Sequence, residues 1–201
     1  MKILLFLAFI VVAPLILLAQ QPKMNMKIFA GINTNTFVYR TENVDPDLLA
    51  GLQLGTGLRV SKRRAFVEGD ITYINYGLSV NIYGDTDTIF DPITVRMNSL
   101  EVPLLIGYIP VKKPVFKCYL YGGLINRFSL KGNLSFRDET IKFSPKEFDL
   151  HTYNLLVRFG TQIDIAMFNF DFNYSIGVTN SFRSDIRTNS HAMQFSIGYL
   201  F

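Results

Sequence analysis

The sequence holds one cysteine, Cys118, in 201 residues. That excludes an intrachain disulfide and any metal cluster built from cysteine thiolates. It holds only two histidines, His151 and His191. The formal net charge is only +4, and no basic run exceeds Lys62-Arg63-Arg64. So small and scattered an excess excludes nucleic acid as a partner. No apolar stretch after Ala19 is long enough for a spanning helix, and a 3.6-residue periodicity is absent, so no helix of the mature chain is expected to cross a membrane. Asp85, Asp87 and Asp91 share one segment but lack the glycine and closing glutamate of a calcium loop, so they read as solvated charge. No cofactor and no resident metal are expected.

What is present begins with Met1-Lys2, an apolar run over 3–18, and Ala19. One positive charge, a greasy stretch and a small residue before Gln20 predict a signal peptide, residues 1–19, cleaved to leave one domain, residues 20–201. A membrane anchor is the rival, but the run lies at the short limit for a spanning helix. No cysteine follows the run, so lipoprotein processing is excluded.

The rest of the chain alternates with a period of two. In the last eleven residues Met193, Phe195, Ile197, Tyr199 and Phe201 are large and apolar, whereas Ala192, Gln194, Ser196 and Gly198 are small or polar. The same pattern predicts strands over 25–38, 49–61, 65–83, 95–109, 115–131, 151–165, 168–178 and 191–201. In the third, apolar residues change phase near Ile74, with Tyr76 and Leu78 joining the apolar set, so a β-bulge is expected there. A second bulge is expected at Pro103, which cannot donate to a ladder. The fifth places Lys117, Tyr119, Tyr121, Arg127 and Lys131 on its polar face. Connections after the second, fourth and sixth strands are short. Those after the third, fifth and seventh are long and polar, the longest spanning 132–149.

Eight strands with alternating short and long connections predict an all-β fold, an antiparallel up-and-down transmembrane β-barrel. The polar faces decide which side meets lipid. They carry Lys27, Arg59, Glu68, Asp70, Glu101, Lys117, Arg127, Arg158, Asp164 and Asp171. A basic residue facing lipid costs roughly 2–4 kcal/mol near the midplane. In a narrow lumen these charges can pair, and an eight-stranded interior is just wide enough to be filled by side chains. An ion-paired, plugged lumen is therefore expected, with Arg158 held by Glu101, Asp70 or Asp164. Tyr39, Tyr108, Tyr153 and Tyr199 would form interfacial girdles. Tyr199 and Phe201, ending the chain on an aromatic strand, read as an insertion signal for the barrel-assembly machinery. Outer-membrane lipid is then the surrounding medium, with both termini in the periplasm.

The segment Leu100-Glu101-Val102-Pro103-Leu104-Leu105-Ile106-Gly107-Tyr108, followed by Tyr119-Leu120-Tyr121-Gly122-Gly123-Leu124, resembles the PorT-like outer-membrane β-barrel proteins of Bacteroidetes. The resemblance implies the fold and the outer membrane and carries no catalytic residues. One member of that family takes part in type IX secretion, so envelope or secretion proteins are candidate partners. A lipid-modifying enzyme is the other alternative, with Ser190 and His191 as the pair and Asp185 as orienter. Adjacent residues point to opposite faces of a strand, however, and both histidines fall on the lipid-facing set. No enzyme is expected. Cys118 reads as a small hydrophobe on the lipid face.

Overall fold

Alternating large apolar and polar side chains suit a strand between lipid and a packed interior. A computed structural model describes residues 22–38, 44–82, 93–136, 139–144, 151–179 and 189–201. Among them are nine strands: β1 (Lys23–Val38), β2 (Val44–Lys62), β3 (Ala65–Ile82), β4 (Ile93–Lys112), β5 (Phe116–Phe136), β6 (Glu139–Phe143), β7 (Tyr153–Ile165), β8 (Phe168–Gly177) and β9 (Asn189–Leu200). The order β4-β3-β2-β1-β9-β8-β7-β5 is closed by β4 against β5. That makes an eight-stranded antiparallel barrel, with β6 an extra strand outside the ring. The ends of the chain close it, β1 lying on β9 from Lys27↔Leu200 to Val38↔Asn189. The predicted signal peptide, Tyr39, Asp85, Asp87, Asp91 and Asp185 lie outside the described residues.

The barrel is polar inside and apolar outside. Leu52 is 69% exposed and Ile106 60%, whereas Glu68 and Glu101 are 0% exposed. In water that distribution would leave large apolar patches unsatisfied; in lipid it is the required one. Strands β7, β8 and β9 have 13, 10 and 12 residues, against the 9–11 or so that a tilted strand needs to cross a bilayer. Two turns are two residues long, between the pairs Lys62↔Ala65 and Ile165↔Phe168. Each has its first residue in the left-handed region, Arg63 at φ 51° and Ala166 at φ 54°. With the β4–β5 connection they define a turn end, where β1 begins and β9 finishes; the opposite end is the loop end.

Four expectations need correction. In β3 the phase does not slip: Ile74 and Tyr76 are buried on the same inward parity as Glu68, Asp70 and Thr72. The lining of the lumen changes there from charged to apolar, and polarity alone mimics a slip. The register shift opposite lies between Leu49 and Gln53, where three residues of β2 face two of β3. Pro103 makes no bulge. Its ladder with β5 continues through Ile125, while pairing with β3 lapses between Gly69↔Leu104 and Thr72↔Glu101 without a change of register. Lys131 is exposed, because an extra residue, Leu130, enters β5 between Ser99↔Ser129 and Asn98↔Lys131. Finally, 132–149 is not all loop. β5 runs on to Phe136, and β6 folds back on it from Phe136↔Glu139 to Gly132↔Phe143.

The barrel interior and its two mouths

Inward parity brings side chains from all eight ring strands to one axis. Their bonds form two clusters. Nearer the turn end, Glu68 accepts from Lys27 Nζ and from Arg59 Nε. Lys27 also lies 3.3 Å from Asp70 Oδ2, and Arg59 Nη1 donates to Asp164 Oδ2 at 2.8 Å. Gln162 ties the cluster together: it accepts from Arg59 Nη2 and donates to Glu68 at 2.9 Å and to Asp171 at 2.7 Å. Asp171 accepts from neutral groups, Tyr121 Oη at 2.8 Å and Asn173 Nδ2 at 2.9 Å. Gly57 makes the room. A Cβ there would collide with Asp70 Oδ1 and sit 2.9 Å from Lys27 Cε.

Nearer the loop end, Glu101 lies between two arginines. Arg127 donates from Nε to Oε1 at 2.8 Å, with Nη2 2.7 Å from the same oxygen. Arg158 Nη2 donates to Oε2 at 2.8 Å, and its Nε to Ser175 Oγ at 3.1 Å. Of the three carboxylates expected near Arg158, only Glu101 pairs with it. Asp70 is with Lys27, and Asp164 is with Arg59 and Asn169.

Lys117 stands apart from both clusters. It is half-buried and makes no ion pair among the described residues; its register neighbours are Lys112 and Asp164, and the Asp164 carboxylate is already engaged. Charge alone does not point to the neutral members of the network, Gln162, Tyr121, Asn169 and Asn173. Their inward parity was the signal.

Apolar layers bracket the charges. At the loop end Ile74, Tyr76 and Met97 pack with Phe143 from β6. Toward the turn end Phe66, Leu105, Ile109, Tyr119 and Tyr121 form a second layer, with Phe66 edge-on to Tyr119 at 5.2 Å. Arginines join the layers to the charges: Arg59 Cζ lies 4.2 Å from the Tyr119 ring centre and Arg127 Cζ 4.9 Å from that of Tyr76. Such contacts suit the planar guanidinium.

Each end of the barrel has a concave mouth. At the loop end a cavity of about 30 Å³ is lined by Arg127, Ser129, His151, Asn154 and Ser190 among others. His151 therefore sits at the mouth and not on the lipid-facing set. Ser190 is buried inward, whereas His191 Nδ1 lies 2.6 Å from Tyr174 Oη on the other face. The adjacent pair does not meet. At the turn end a cup of about 410 Å³ is lined by Lys23, Asn25, Ser61, Ile109, Lys112, Lys113, Pro114, Lys117 and Tyr119. Among the described residues no group of three or more histidine, cysteine, aspartate or glutamate side chains could hold a metal. Cys118 is a partly buried free thiol, its Sγ 3.9 Å from Thr161 Oγ1.

Aromatic side chains crowd the outer surface at both ends. Tyr108 receives Arg64 Nη1 at 3.3 Å at the turn end, and Tyr153 donates to Asn126 Oδ1 at 2.9 Å at the loop end. Tyr199 lies between Phe168 and Phe201 in edge-on contacts, with ring centres at 6.1 and 5.1 Å. Phe201 is 66% exposed, and its N–H donates to Met26 O at 2.9 Å. Deleting Phe201 is expected to cut the yield of assembled barrel several-fold, measured as heat-modifiable protein in outer membranes. Phe116→Ala, which removes another exposed aromatic at the same end, should leave the yield near wild type. Equal yields from both would show that the terminal residue is not read as a signal.

A family model described as an outer membrane protein beta-barrel domain matches residues 18–183. Among solved structures, the chain is similar to Ail, the attachment invasion locus protein of Yersinia pestis, at 13% identity and a TM-score of 0.50, covering 89% of this chain and 99% of that one. It is also similar to Neisserial surface protein A, at 9% identity and a TM-score of 0.49, covering 90% and 99%. OprG from Pseudomonas aeruginosa follows at 13% identity and a TM-score of 0.45, covering 90% and 97%. At such identity the likeness to Ail shows the fold alone. No curated protein matches the chain.

Proposed function

The chain belongs to the outer membrane protein beta-barrel domain family, and on that premise we propose that it is a non-enzymatic barrel with a plugged lumen, whose loop end is its interaction surface. It is an outer-membrane protein of a Gram-negative cell. Both chain termini lie in the periplasm and the β5–β6 hairpin outside, residues 1–19 are cleaved after Ala19, and the protein is a member of the PorT-like group.

The observation that carries the reading is the sequence of layers along the axis. Ile74, Tyr76, Met97 and Phe143 lie at one end, Phe66, Leu105, Ile109, Tyr119 and Tyr121 toward the other, and the ion pairs lie between. An eight-stranded interior is just wide enough for side chains to fill, and an interior filled in this way suits a support and not a conduit. The β5–β6 hairpin reaches beyond the ring and offers a further edge, which suits a binding surface. Against a lipid enzyme stands the separation of Ser190 and His191 by the strand.

The test is a pull-down from outer membranes with the wild-type chain and with a variant whose residues 134–141 are replaced by a short turn. A specific envelope or secretion partner should be captured by the first and lost from the second, both barrels being folded. The same preparation should release no fatty acid from phospholipid vesicles. Release that His191→Ala abolishes would overturn the non-enzymatic reading, and equal capture by both variants would overturn the role of the hairpin.

A further inference from the structure

We propose that the turn-end mouth of the barrel is a binding site for a short acidic peptide segment. The cup of about 410 Å³ falls within the size range of ligand-binding clefts. Four lysines line it: Lys23 from β1, Lys112 and Lys113 at the end of β4, and Lys117 from β5. Lys62, Arg63 and Arg64 follow at the neighbouring β2–β3 turn.

Among the described residues no carboxylate side chain lines the cup. Asp164, which faces Lys117 in register, is taken by Arg59 Nη1 at 2.8 Å and Asn169 Nδ2 at 2.7 Å. Of the lining lysines, Lys112 Nζ donates to Arg63 O at 2.6 Å. A cleft lined by one sign of charge above a low-dielectric floor concentrates the opposite charge within it.

Parity chooses the source of that charge. Lys23 shares the inward set of β1 with Lys27 and Phe29, and Lys117 that of β5 with Tyr119 and Tyr121. Both side chains therefore leave their strands on the lumen side and line the cup, not the lipid-facing surface. The floor favours a peptide over a compact anion. Ile109 and Tyr119 are almost fully buried there, Pro114 adds apolar wall, and Ser61 offers a hydroxyl. Several carboxylates along a chain match lysines distributed around a rim, and an apolar side chain among them covers the floor. The proposed orientation makes a periplasmic protein the source of the peptide; the site itself does not depend on that orientation.

The experiment uses the full chain refolded in zwitterionic detergent and a fluorescein-labelled peptide, acetyl-Phe-Glu-Glu-Glu-amide, followed by anisotropy. Saturable binding is expected, weakening as salt is added, with the glutamine version of the peptide binding about tenfold worse or more. Lys113→Gln with Lys117→Gln should lower affinity by a similar factor, and Lys113→Gln alone, at an exposed turn, by less. Heat-modifiable mobility confirms that each variant is folded. No binding by the wild type, equal affinity for the two peptides, or unchanged affinity in the double variant overturns the proposal. So does displacement of the labelled peptide by inorganic phosphate, or by vesicles containing anionic lipid, as readily as by unlabelled peptide.

Discussion

Glu101→Gln is expected to destabilise the barrel by about 3–5 kcal/mol, the usual cost of breaking a buried ion pair by removing one partner. Glu101 is fully buried and, among the described residues, is the only carboxylate paired with either Arg127 or Arg158. Glutamine keeps the shape and one acceptor but leaves two buried guanidinium groups without a counter-charge. Arg158→Met should cost less. Glu101 then keeps Arg127, bound through Nε at 2.8 Å with Nη2 at 2.7 Å, and Ser175 loses only a neutral partner. Replacing all three by apolar residues of similar volume should recover most of the loss, because desolvation of the ions is then no longer incurred. Urea titration in lipid vesicles, read by the gel mobility of folded protein, measures all three. If Glu101→Gln leaves the midpoint unchanged, the lumen is wet and the pairs count for no more than the ~0–1 kcal/mol of surface pairs.

The second large effect is expected from Phe143→Ala. Phe143 packs with Ile74, Tyr76 and Met97, close against Gly132, where a Cβ would collide with its ring and lie 2.7 Å from Met97 Sδ. Truncating a buried phenylalanine costs about 3–5 kcal/mol, and this position should fall toward the lower figure because it lies near a mouth of the barrel. The β5–β6 hairpin should loosen with it, seen as faster hydrogen exchange over β6. Wild-type protein should show no steady conductance in planar bilayers, and Phe143→Ala should show at most brief openings, because the layer around Phe66 and Tyr119 remains. Steady conductance in the wild type would disprove the plug. Unchanged stability of Phe143→Ala would show that β6 is not seated on the lumen.

Which way most of each strand faces was legible in the residues alone, the loop-end parts of β3 and β5 excepted. A strand turns successive side chains to opposite sides, so once Arg59, Glu101 or Arg158 is assigned inward, its neighbours at two-residue spacing follow without knowledge of any other strand. The burial of Lys27, Arg59, Glu68, Asp70, Glu101, Arg127, Arg158, Asp164 and Asp171 is that rule applied strand by strand. Closure was also legible, because a terminal strand of the same alternation needs a partner and β1 offers one. Who pairs with whom across the axis became visible only in the folded barrel. Arg59 and Asp164 are 105 residues apart in sequence, and their meeting depends on the stagger accumulated over the intervening strands. Parity carries no information about height along the axis, so it could not separate Glu101 from Asp70 or Asp164 as the partner of Arg158, nor see that Lys117 lies beyond the network, at the mouth. For the same reason Ile74 and Tyr76 read as a slipped outer face: only the return of Phe143 over the loop end supplies the apolar layer against which those two side chains pack inside.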